Sequence, residues 1–258
     1  MDRTLSSDGT KIAYERTGQG PALILVGGAF QRRGDFGDLP DLLSGHFEVI
    51  TYDRRGRGDS GDTAPYDVRR EIEDLDALIR LAGGTAFVHG MSSGAVLSLE
   101  AAAHGSAISR LSVYEPPFVV DDTRPPVPED YADHLTALVA AGARSDAVAY
   151  FLTRGVGVPA ETVEGMRQTP FWAGMEALAH TLPYDAQVMA GTMSGHPLPP
   201  GRWDSLAPHL LVLDGGASDP WIRNAAAALP GRHQTLPDQD HQVDPHALAP
   251  ALTAFFTN

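Results

Sequence analysis

Ser92 is the residue whose neighbours most strongly suggest covalent chemistry. It stands in Gly90-Met91-Ser92-Ser93-Gly94, between the apolar run Ala86-Phe87-Val88 and an alanine-rich stretch with helical spacing. A serine on a sharp strand-to-helix turn adopts a strained backbone, so the positions two before and two after it must be tiny. Gly90 and Gly94 meet that demand around Ser92, whereas Ser93 would have Met91 and Ala95 there. Ser92 is therefore the candidate nucleophile. Ser93 opens the following helix, and its N–H, backed by the helix dipole, points where an oxyanion would form.

A serine hydroxyl needs a base, and the base needs an orienting acid. On sheets that carry this turn the chain order is serine, acid, histidine. Downstream, "LLVLDGGASDPW" places Asp219 just past a strand, and "LPDQDHQVDP" places His241 between the last short strand and the last helix. The choice of acid stays open. Asp219 comes first, although Asp-Pro is also a helix-start pair with aspartate as N-cap and proline at N1. Glu115, ending the strand "SVYE" before Pro116-Pro117, is the alternative, and Asp214 is a third candidate.

These residues need a frame. The runs "KIAYERTG", "PALILVGG", "FEVITYD", "TAFVHG", "ISRLSVYEPP", "HLLVLDGG" and "RHQTLP" have the apolar, β-branched character of strands. Helical spacing appears in "DVRREIEDLDALIRLAGG", after Ser92, in "DPWIRNAAAALPG" and in "PHALAPALTAFF". Strands separated by helices predict a mostly parallel, doubly wound sheet. Residues 127 to about 195 break the rhythm with several helical stretches and no convincing strand. The expected organisation is a core formed by residues 1–120 and 200–258, with residues 121–199 inserted as a helical lid over the carboxyl edge of the sheet, where such sheets bind ligands.

Taken together, these features make the chain resemble a serine-type α/β-hydrolase over essentially its whole length. "LILVGGAF" corresponds to the oxyanion loop, "YDRRGRGDSG" to the glycine-rich turn after the next strand, and "HGMSSGA" to the nucleophile elbow. The resemblance implies that His241 is the base and that the Ala29 backbone N–H joins that of Ser93 in the oxyanion hole. It departs from the family in one place: Gly27-Gly28 stands where relatives commonly carry His-Gly, a histidine that usually braces the loop.

Composition limits the alternatives. The chain has 258 residues, 43% of them hydrophobic, and no cysteine, which removes thiolate metal sites and cysteine nucleophiles. A formal charge of −14 argues against nucleic acid. The absence of a long apolar run argues against a membrane span and makes a cytoplasmic location the expectation. Gly56-Arg57-Gly58-Asp59-Ser60-Gly61 spells a dinucleotide fingerprint, but Pro65 intervenes before any helical spacing begins, so a turn is expected. His241 and His246 lie among aspartates, yet their five-residue spacing and Pro245 suit no helical metal motif, and neither metal nor cofactor is expected. His89 is expected to be a packed strand residue.

Phe30, Met91, Phe171 and Trp172 are the pocket candidates, and Arg32-Arg33 is a weak candidate for contact with an anionic group. The expected activity is hydrolysis of an ester, lactone or thioester of a small, largely hydrophobic molecule through an acyl-enzyme. The alternatives are carbon–carbon cleavage, lyase or cyclase chemistry on the same fold, or a ligand-binding protein that keeps the constellation without turnover. The partner expected is a small molecule.

Overall fold

The computed structural model describes residues 1–258. Eight strands form one sheet: β1 (Asp2–Leu5), β2 (Lys11–Thr17), β3 (Ala22–Val26), β4 (Glu48–Tyr52), β5 (Ala86–Met91), β6 (Ile108–Tyr114), β7 (Leu210–Gly215) and β8 (Arg232–Leu236). Their spatial order is β1-β2-β4-β3-β5-β6-β7-β8. The pairs β1–β2 and β2–β4 are antiparallel, and every pair from β4 to β8 is parallel. The strands β2 and β3 are consecutive in the chain but do not pair, because β4 lies between them.

β3 and β7 are buried along their whole length, the pattern of strands covered on both faces. One face carries α2 (Val68–Leu81), α3 (Ser93–Ala103) and α9 (Pro220–Ala227), which pack Leu75, Leu78, Leu97 and Ala225 against Ile24, Val88 and Val212. On the other face, the short α1 (Leu39–Leu43) and α10 (Pro245–Phe256) press Leu43, Leu252 and Phe256 onto Leu23, Leu25 and Leu213. Asp67 starts α2 by accepting a hydrogen bond from Arg69 N–H, as an N-cap does, and Asp244 does the same for α10 at His246.

The chain between β6 and β7 is helical: α4 (Tyr131–Ala140), α5 (Arg144–Tyr150), a π-helix (Phe151–Val156), α6 (Ala160–Met166), α7 (Pro170–Leu178), a 3₁₀ turn (Ala179–Thr181), α8 (Leu182–Val188) and a second 3₁₀ turn (Asp204–His209). It has its own apolar centre, in which Leu135, Val148, Phe151, Trp172 and Leu182 meet. Phe30, following β3, packs against that centre with its ring edge-on to Phe151 at 5.3 Å. No helix is long and apolar enough to cross a membrane.

Candidate active site

Ser92 sits between β5 and α3 with φ 56° and ψ −125°, a region that side chains other than glycine rarely enter. Its N–H is held by the carbonyl of Tyr114 on the neighbouring strand, at 3.0 Å. The turn tolerates no side chain at its flanks. A Cβ on Gly90 would lie 2.5 Å from the Gly94 carbonyl oxygen, and one on Gly94 would lie 2.4 Å from that of Val26. Gly28 backs Ser92 in the same way, since a Cβ there would come within 2.8 Å of Ser92 Cβ. A side chain at that position would push the serine out of its place.

His241 reaches the site from the loop between β8 and α10. Tyr114 Oη anchors this loop by donating to the Asp240 carbonyl at 2.5 Å. The imidazole Nδ1 stands 2.8 Å from Oε2 of Glu115, which is fully buried at the end of β6. Glu115 has φ 46°, a turn that brings its side chain under the loop rather than along the strand. The other carboxylate oxygen accepts from Gly215 N–H at 2.8 Å and from Ser218 Oγ at 2.5 Å. Three hydrogen bonds thus offset the cost of burying this charge.

The order of preference among the acids is therefore reversed. Asp219, the first choice from sequence, lies at the exposed start of α9, where its side chain makes no cap hydrogen bond, and the imidazole is paired with Glu115 instead. Asp214 accepts instead from Thr235 Oγ1 at 2.8 Å. The reason is tertiary: the Tyr114–Asp240 bond docks the histidine loop over the end of β6, so β6 rather than β7 presents the nearest carboxylate. Ser218, which secures that carboxylate, carried no signal in the sequence.

Ser92, His241, Ala29 and Ser93 line one cavity of about 410 Å³, within the range of small-molecule sites. Its apolar wall comes from Phe151 and Val156 of the π-helix, Met189 and Met193 beyond α8, and Trp221 and Ile222 of α9. Asp219 and Asp240 stand at its edge, and no lysine or arginine lines it. The four residues expected in the pocket are elsewhere. Trp172 is buried in the helical insertion, its indole N–H donating to Ser145 Oγ at 2.8 Å, while its chain neighbour Phe171 is 70% exposed. Met91 packs beneath the sheet, with its sulfur beside Gln31, and Phe30 stands behind Phe151. Periodicity identified the apolar residues of the insertion but not which of them face inward.

The Arg32-Arg33 pair also differs from expectation, whereas His89 and the Gly56–Gly61 segment follow it. Arg33 lies among Glu15, Asp53 and Asp59, and Arg32 faces Asp35 at 3.7 Å, so neither reaches the cavity. His89 is buried under the elbow, where desolvation pulls it down to about 3; it is neutral at physiological pH and packs beside Ser112 Oγ. The Gly56–Gly61 segment is a turn closed by Gly56 N–H on the Gly61 carbonyl, as its sequence implied.

Part of the cavity wall is held from outside. Arg124 donates to the carbonyls of Arg154, Gly155 and Val156, which close the π-helix, and its guanidinium lies 4.5 Å from the Trp221 ring centre. It joins the two apolar walls of the cavity. Nothing in the spacing around Arg124 pointed to this.

The model of the alpha/beta hydrolase family matches residues 23–254. The chain belongs to that family. As an α/β hydrolase it is similar to a solved structure described as an alpha/beta hydrolase from Sphaerobacter thermophilus DSM 20745, with 57% identity over 99% of this chain and 100% of that one and a TM-score of 0.91. It is also similar to the uncharacterized hydrolase YraK of Bacillus subtilis (strain 168), 34% identical over 101 residues. That match spans 38% of this chain and about 37% of the length of YraK. A structure of a thermophilic esterase from Thermogutta terrifontis shares the fold, with a TM-score of 0.69 at 20% identity over 99% of this chain and 98% of that one. This α/β hydrolase is thus an enzyme by family, with the eight-stranded, mostly parallel sheet that the family implies.

Proposed function

We propose that this enzyme hydrolyses an ester, lactone or thioester of a small, uncharged and largely hydrophobic molecule through a Ser92–His241–Glu115 triad. The observation that carries the reading is the convergence on one cavity of a strained serine and an imidazole whose Nδ1 is held by a buried carboxylate. In this reading Glu115 keeps the proton on Nδ1, leaving Nε2 free to take the Ser92 proton. That transfer needs the two groups within hydrogen-bond reach, a contact that substrate binding commonly tightens. Ser92 Oγ then attacks the carbonyl, and the N–H groups of Ala29 and Ser93 take the developing oxyanion. The imidazolium protonates the departing oxygen or sulfur. A water, deprotonated by the same imidazole, attacks the acyl-enzyme and releases the acid.

The residues between β6 and β7 act here as the lid, supplying Phe151, Val156, Met189 and Met193 to the substrate. A wall without cations and with two carboxylates at its edge disfavours anionic substrates, while its apolar bulk gains about 25 cal/mol per Å² of apolar surface covered. Serine in place of aspartate at the elbow turns the reaction away from dehalogenase and epoxide hydrolase chemistry, which begin with a carboxylate nucleophile.

The test is labelling with a fluorophosphonate and location of the adduct by mass spectrometry, in wild type and Ser92→Ala. The expected result is a single adduct on Ser92, absent from the variant, with hydrolysis of p-nitrophenyl butyrate lost in parallel. A folded wild type that takes no label and turns over no ester would sink the reading.

A further inference from the structure

Both oxyanion-hole donors rest on a buried set of charges contributed partly by α2 and the turn after β4 and partly by the helical insertion. Arg54, Arg57, Glu71 and Asp185 are each at most 2% exposed, and their formal charges cancel. Arg54 grips Glu71 with two bonds of 2.7 Å. Asp185, from α8 of the insertion, is the common acceptor. Its Oδ1 takes Ser93 Oγ at 2.6 Å, Arg54 Nη1 at 2.9 Å and Arg57 Nη2 at 2.8 Å, and its Oδ2 takes Arg57 Nη2 at 2.7 Å. The other arm of Arg57 donates to the carbonyl of Gly28.

That last bond bears on the chemistry. The Gly28 carbonyl and the Ala29 N–H belong to one peptide group, which is trans. In a planar trans peptide the C=O and N–H point in opposite directions. Holding the carbonyl on Arg57 therefore aims the Ala29 N–H the other way, into the cavity that Ala29 lines. Gln31 fixes the loop from its other side, its Oε1 accepting the Gly28 N–H at 2.6 Å and its N–H making a longer bond of 3.3 Å to the same Gly28 carbonyl. The second donor, Ser93 N–H, lies at the free N-terminus of α3, and its own side chain is tied to the same Asp185. Four buried charges are weak evidence of a stabilising role, because well-packed apolar residues commonly serve as well or better. Orientation of two N–H groups is something that apolar packing would not supply.

We propose that Asp185 is a positioning residue for the oxyanion hole. It sets the Ala29 N–H through Arg57 and the Ser93 N–H through the Ser93 hydroxyl, so the hole is complete only with the insertion docked on the sheet. The proposal rests on the serine hydrolase reading given above. It also accounts for Gly27-Gly28, since Arg57 braces from beneath a loop that has no histidine to brace it.

The test uses Asp185→Asn, Arg57→Lys and Ser93→Ala, with Tyr184→Phe as the control. Tyr184 also joins the insertion to the sheet side, donating to Asp62 Oδ2 at 2.8 Å and stacking on Tyr66 at 3.9 Å, but it does not touch the oxyanion loop. Active sites are counted by fluorophosphonate titration, and kcat and KM for p-nitrophenyl butyrate are measured per titrated site. Inhibition by butylboronic acid, which forms a tetrahedral adduct, is compared with inhibition by butyrate.

The expected result for Asp185→Asn and Arg57→Lys is a kcat lowered by about 10- to 100-fold with KM within about twofold, and boronate affinity falling in step while butyrate affinity holds. Ser93→Ala should show the same pattern more weakly, and Tyr184→Phe should match wild type per site. Should Asp185→Asn fail to fold, Arg57→Lys and Ser93→Ala decide the matter alone. A kcat per titrated site within about twofold of wild type, or a rise in KM with kcat retained, would overturn the proposal. A wild type that neither labels nor turns over overturns the hydrolase reading, and the proposal with it.

Discussion

Glu115 and Asp219 are both carboxylates beyond the ends of neighbouring strands, yet their surroundings prescribe opposite outcomes on mutation. In Glu115→Gln the amide oxygen would stay with Gly215 N–H and Ser218 Oγ, because both are donors. The amide NH₂ would then face His241 Nδ1 and favour the tautomer that carries its proton on Nε2. That tautomer is unable to accept a proton from serine, so kcat should fall by about 10²- to 10⁴-fold with the fold intact. Asp219→Asn changes an exposed side chain with no hydrogen-bonded partner and should leave kcat within about threefold. Steady-state kinetics of the two variants, with far-UV circular dichroism to verify folding, separates these roles; the reverse ranking would restore Asp219 as the acid.

At the scale of elements, the π-helix Phe151–Val156 depends on a single side chain outside it. A π-turn leaves its last carbonyls poorly served, and three of them are covered by Arg124. Arg124→Met would keep much of the side chain's apolar contact with Trp221 but remove all three hydrogen bonds. The chemistry at Ser92 is untouched by this change, whereas the wall that contacts substrate loosens. KM for p-nitrophenyl butyrate should rise by about 3- to 10-fold with kcat little changed, the pattern of lost uniform binding. A fall in kcat at constant KM would place Arg124 in the chemistry instead. At the same scale, the strands and long helices were readable from sequence because their periods are set by burial on a sheet: Val68–Leu81 turns its apolar positions inward every third or fourth residue. Asp2–Leu5 escaped detection, since a four-residue edge strand has too short a pattern and little buried surface.

For the molecule as a whole, the buried charges link stability to pH. Burial acts most strongly on Asp185 and raises its affinity for a proton, but Arg57, Arg54 and the Ser93 hydrogen bond together outweigh it and hold the carboxyl below its ordinary range. Glu71 is held down in the same way, chiefly by Arg54 acting against burial. A carboxylate depressed in the fold adds stability above its unfolded value of about 4, and that stability is lost as pH falls through the folded value. Asp74 has the opposite sign: burial outweighs Arg55 and raises it, so its contribution is present below about pH 4 and is lost as pH rises through its folded value. With Asp185 and Glu71 setting the trend, the deficit in Tm of Asp185→Asn relative to wild type should be largest near neutral pH and shrink below about pH 4. Because the groups are buried, added salt should change the neutral-pH deficit little. Calorimetry of both proteins across that range checks the sign, and a deficit that grows on acidification would refute it.

The sequence by itself determined the frame and named the candidates at the centre of the proposed site. Burial patterns of period 2 and 3.6, the elbow glycines and the chain order of serine and histidine are local or ordered features; they carried the sheet and singled out Ser92 and His241 as the candidates that the structure brings to one cavity. Tertiary structure decided whatever depends on contacts between distant segments. Glu115 meets His241 across 126 residues, Arg54 meets Asp185 across 131, and the cavity is walled by Phe151 and Trp221 rather than Phe171 and Trp172. The physical reason is common to all three. A hydrogen bond or an apolar contact depends on position in space, and two carboxylates in similar sequence settings are told apart only once a loop has docked on one strand end and left the other in water.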